Sequence, residues 1–134
     1  VIEFTVKVKT VSGDNAREMP WAKARRIAKN RDATAWTWLA EGISARVPAL
    51  PVTVTFTRLS PMTMDTDGLS SACKGIRDEV AFRLGLPVKK LSKMQARPVA
   101  EDSDPRVTWA YRQDKCARGV FGVRVTIERR KDGE

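Results

Sequence analysis

"PVTVTFTRLSPMTMDTDGLSSACKGIRDEVAFRLGLP", residues 51 to 87, carries two different hydrophobic periods one after the other. Val52, Val54 and Phe56 alternate with threonines, the period-two pattern of a strand over residues 52 to 59. Leu69, Ala72, Cys73, Ile76 and Val80 then recur at helical spacing, so a helix is expected from Leu69 to Leu84, stopped by Gly85 and Pro87. Between the two lie Asp65 and Asp67, at the mouth of that helix.

Further out, Ile2, Phe4, Val6 and Val8 alternate with Glu3, Thr5, Lys7 and Lys9 within residues 1 to 11, again a half-buried strand. Pro20 suits the first turn of a second helix, expected to run to about Ala45. On it Trp21, Ala24, Ala28, Ala35, Trp38, Leu39 and Gly42 gather on one face, the expected packing face, with Lys23, Arg26 and Lys29 opposite. Trp36 sits at the edge of the stripe, where core packing is favoured over a subunit contact. Residues 86 to 104 have no clear period and carry Lys89, Lys90, Lys93 and Arg97. So long a loop is expected to be functional or disordered, or to hide a short helix. Residues 106 to 112 and 120 to 128 alternate once more around "QDKCARG" and read as a closing antiparallel hairpin, with Val107, Trp109 and Tyr111 on one face. The tail "ERRKDGE" is expected to fray. The expectation is one α+β domain over residues 1 to 134, in the order β-α-β-α-β-β, with a mixed sheet covered by two main helices.

The 134 residues suffice for a core without staples. Two cysteines with no CxxC spacing, and no histidine, argue against zinc and against His-based catalysis. No apolar run reaches the ~18 residues of a membrane span, no charged-then-apolar leader is present, and the chain reads as cytosolic. Lys and Arg number 25 against 16 Asp and Glu, a net charge of +9. Such an excess points to a polyanion, most often nucleic acid, because phosphate neutralisation releases counterions.

The acidic residues stand out against that charge. If the strand continued through Asp65 and Asp67, both side chains would leave on one face and repel unless a cation joined them, and Mg²⁺ is the natural candidate. The structural alternative is that Asp67 caps the helix while Asp65 is a solvated turn residue. Lys74 and Asp78 stand at i and i+4, an ordinary surface pair or part of a site. Asp102 and Asp104 precede the next strand. Either could complete a metal site if that strand lies beside the one ending near Ser60.

"LSPMTMDTDGLSSACKGIRDEVAFRLGL", "EDSDPRVTWAYRQ" and "FGVRVTI", in that order, resemble the RusA family of Holliday-junction resolvases, particularly its phage and prophage forms. "DNAREMPWAKARRIAKNR" is similar to the Asn-then-basic-helix opening of those relatives. The resemblance covers nearly the whole chain. It implies a RusA-like homodimer in the cytoplasm of a bacterial or phage-infected cell, an Mg²⁺-dependent endonuclease that makes paired nicks in four-way DNA junctions. Asp65, Asp67 and Asp104 would then be the metal ligands, with Lys74 catalytic beside them and Asp78 and Asp102 as neighbours. Arg17, Lys23, Arg26, Lys29, Lys89, Lys90 and Lys93 would hold the DNA arms through phosphates. Gly68 stands where the family has Asn, and Lys74 comes about one helical turn later than the family's lysine. Those departures carry the alternative, a junction- or DNA-binding protein of the same fold with impaired catalysis. A third reading is an interaction module in which the acidic pair only caps a helix.

Overall fold

Alternating apolar residues become buried rows in the computed structural model, which describes residues 1–10, 19–89 and 98–130. The strands are β1 (Ile2–Val6), β2 (Val52–Ser60), β3 (Val107–Lys115) and β4 (Gly122–Arg129). They form one sheet in the order β1-β4-β2-β3, with β4 antiparallel to both β1 and β2, and β3 parallel to β2. The register lines Ile2, Ile127, Val54 and Trp109 into one row across the inner face, and Phe4, Val125, Phe56 and Tyr111 into the next. Phe56 stacks against both Trp109 and Tyr111, at centroid distances of 5.8 and 5.7 Å. Such cross-strand pairs hold a sheet in register.

The helices are α1 (Pro20–Ala40), α2 (Thr66–Ala72) and α3 (Lys74–Arg83), with a 3-10 turn over Ile43–Ala45. The fold is α+β with a mixed sheet, as the patterning implies, but it has three helices. The helix expected over Leu69 to Leu84 starts earlier and breaks at Cys73, where ψ is 3°. Leu69, Ala72, Cys73, Ile76 and Val80 are nevertheless all buried, because the break keeps both segments facing the sheet. The first long helix ends at Ala40, and Gly42 turns the chain with φ of 60° before Ile43 enters the core.

Two expectations are overturned. The closing hairpin does not form: β4 crosses to the far side of β2, so β2 and not β3 is its partner. Insertion there completes the Ile127 and Val125 rows between β1 and β2, burying both side chains fully. The packing face of α1 is also different. It buries Asn30, Arg31, Thr34 and Trp38, while Trp21, Trp36 and Leu39 are exposed at 61, 75 and 62%. The reason is α3. Arg31 Nε lies 3.0 Å from Glu79 Oε1, and Glu79 Oε2 also accepts from Arg83 Nε at 2.8 Å. An arginine that finds a carboxylate can be buried where an unpaired one cannot.

Across the base of the segment from residue 86 to 104, Val88 bridges Ala100, with Leu86 and Ala100 in the core. Arg17, Lys90, Lys93 and Arg97, like the last residues of the tail, lie outside the described residues. Among the described residues no helix is long and apolar enough to cross a membrane.

Candidate nucleic-acid interface

At the C-terminal ends of β2 and β3 the third inner row, Val6, Val123, Arg58 and Gln113, turns polar. Those two polar side chains fix the link that leads to the acidic pair. Arg58 donates to Met62 O at 2.6 Å and to Thr10 Oγ1 at 2.8 Å. Gln113 binds the Met64 backbone on both sides, accepting from its N–H at 3.0 Å and donating to its carbonyl at 2.7 Å. Neither residue was legible as a positioning group, since each falls on an alternating position of a strand.

The strand ends at Ser60, so Asp65 and Asp67 do not leave one strand face. Asp65 is the N-cap of α2 and accepts the Gly68 N–H at 2.8 Å, while Asp67 follows in the first turn. The cap is thus Asp65 rather than Asp67, and both side chains are exposed.

Asp104 is not brought to them. β3 does lie beside β2, but the two are parallel, so the start of β3 pairs with the start of β2, Val107 opposite Val52. Asp104 stays at that start, its carbonyl accepting the Val107 N–H at 3.1 Å. Met64, the neighbour of Asp65, is held at Gln113, an advance from Val107 of about 20 Å along a parallel strand. The Asp104 carboxylate is moreover taken by Arg106, through Nε at 3.1 Å, Nη2 at 2.9 Å and the backbone N–H at 2.9 Å. The guanidinium hydrogen bonds, with the amide beside them, hold its pKa down to about 2.

Lys74, Asp78, Asp102 and Lys89 do meet, along the flank of α3. Lys74 lies 3.6 Å from Asp78, and Lys89 3.6 Å from Asp102. Arg77 links them to the sheet: its Nη1 donates to Tyr111 Oη at 2.6 Å, and its Nε lies 3.1 Å from Asp102 Oδ2. Burial pushes the Asp78 carboxyl up, with Lys74, Arg77 and Arg31 pulling the other way. Each acid here faces a cation, so the cluster is close to balanced.

An Mg²⁺ centre built from Asp65, Asp67 and Asp104 does not fit this arrangement. One ligand caps a helix, and another is saturated by arginine at the far end of β3. Among the described residues no three carboxylates or thiols are grouped to hold a metal ion.

The concave surface lies elsewhere. After Val6 the chain folds back, Val8 N–H bonding Val6 O at 3.1 Å, and brings Lys7 and Lys9 opposite the first turns of α1. There Trp21, Arg25 and Lys29 follow one another at i, i+4 and i+8 on a single helix face. The result is a cleft of about 460 Å³ lined by these residues together with Arg26 and Asn30. The Arg25 guanidinium lies over the Trp21 ring, 5.2 Å from its centroid, and Lys9 Nζ is 4.9 Å from the centroid of Phe121. No acid lines the cleft among the described residues. Arg26 and Lys29 of the expected DNA-binding set are on it, whereas Lys23 is exposed outside it. Lys7, Lys9, Trp21 and Arg25 were missed, although the four-residue spacing on α1 was there to be read. Comparison with protein-family models, curated proteins and solved structures finds no match to the chain.

Proposed function

We propose that this chain binds DNA through the cleft between the end of β1 and the first turns of α1. One observation carries the reading: Lys7, Lys9, Arg25 and Lys29 converge on one concave surface without a lining acid among the described residues, in a chain of net charge +9. Cations so placed neutralise successive phosphates and gain from counterion release. Four-way DNA is the substrate class that the RusA-like resemblance suggests, and a homodimer would match the approximate two-fold symmetry of such a junction.

A metal-dependent resolvase is the second reading. It rests on the resemblance and on the exposure of both Asp65 and Asp67. One experiment separates the two. A labelled four-way junction and a linear duplex are titrated with the protein across a salt series, and the same mixtures are run for nicks in Mg²⁺ and in EDTA. The expected result is salt-sensitive binding without nicks, weakened at least ~10-fold by Lys7→Glu with Lys29→Glu, a loss of phosphate contacts. Mg²⁺-dependent paired nicks that disappear in Asp65→Asn would replace this reading with the resolvase. The substitution is a fair test because Asn caps a helix as well as Asp does. Absence of binding at ~50 mM salt, where phosphate contacts are strongest, would end both.

A further inference from the structure

Trp21 is 61% exposed on the wall of the basic cleft, with the Arg25 guanidinium 5.2 Å from its ring centroid. Lys7, Lys9 and Lys29 line the same cleft, and an exposed indole among cations is an arrangement that phosphate binding alone does not require.

We infer that the cleft takes an unpaired nucleotide, its base against Trp21 and its phosphates on Lys7, Lys9 and Lys29. This rests on the DNA-binding reading and narrows it from duplex arms to unpaired nucleotides. A volume of about 460 Å³ suits a small ligand rather than a double helix. Base stacking on an aromatic ring, reinforced by an arginine, is how unpaired strands are held without sequence preference. A duplex keeps its base faces stacked on one another and would gain nothing from Trp21.

The test uses the whole chain with two fluorescein-labelled probes, an oligothymidylate of ~12 nucleotides and a blunt duplex of equal length, read by anisotropy. Trp21→Ala is expected to weaken the single strand about tenfold and the duplex far less, with the salt slope for the single strand unchanged. Trp21→Phe keeps a stacking ring and is expected to recover most of the loss. Thymidine monophosphate as competitor identifies the source. Displacement at micromolar levels assigns the cleft to free nucleotides, and none below millimolar assigns it to a strand, either one upholding the site. Equal losses on both probes, or none on the single strand, overturn the inference and leave DNA binding standing. Failure of the unaltered protein to bind any probe removes the DNA-binding reading itself.

Discussion

Glu79 is fully buried and answers two arginines, Arg31 within α1 and Arg83 one turn along its own helix. Its position on α3, next to Asp78, gave no sign of this, because a carboxylate on a helix is ordinarily a surface group. The Arg31 side chain is only 5% exposed, so removing its partner strands a charge away from water. Glu79→Ala is therefore expected to cost about 3–5 kcal/mol in urea unfolding. Arg83→Ala, whose side chain still reaches solvent, should cost roughly 1 kcal/mol or less. Equal effects from the two would show that the Arg31 contact contributes nothing of its own. The same logic separates Asp104 from Asp65. Each carboxylate is engaged by local groups, Arg106 in one case and the Gly68 amide in the other, and each is thereby spent on a turn or a cap.

Between elements, the decisive contact is the crossing of α1 and α3. Gly75 lets the backbones approach: an added Cβ would stand 2.7 Å from Ile27 O, a backbone atom that cannot swing aside. Gly75→Ala would ordinarily favour a helix by about 1 kcal/mol. Here the clash is expected to win, with a net loss of about 1–3 kcal/mol and a lowered Tm in thermal unfolding. An unchanged or raised Tm would show that the helices can separate without loss. The close crossing also explains why α1 turns Asn30, Arg31 and Thr34 inward and leaves Trp36 and Leu39 in solvent. Its interior face was chosen by fit to α3 and by the charge of Glu79, and hydrophobic periodicity could not anticipate either.

In the whole molecule β2 lies inside the sheet, flanked by β4 and β3, and β4 lies between β1 and β2. Amide exchange is expected to be slowest in β2 and β4, since both edges of each are paired, and faster on alternate amides of β3 that face outward. A β3–β4 hairpin would instead protect the facing amides of those two strands and expose one side of β2. The parallel pairing of β2 and β3 also sets the chemistry of the surface. A parallel crossover brings the chain back to the starting end, so the link after β2 and the turn before β3 lie at opposite ends of the sheet. The acidic residues are separated by that topology. Meanwhile the fold-back after β1 gathers Lys7 and Lys9 toward the cations of α1.

What the sequence determined by itself was whatever depends on near neighbours. Period-two alternation marked all four strands, and helical spacing marked the buried face from Leu69 to Val80. Burial of one face of a strand or helix is forced by local pattern, which is why those readings needed no partner. Tertiary structure alone decided the strand order, the polar packing face of α1, the buried Arg31–Glu79 pair and the distance between Asp65 and Asp104. Each of these is a choice among partners far apart in the chain, settled by complementary shape and by the need to compensate buried charge, and no local period encodes it.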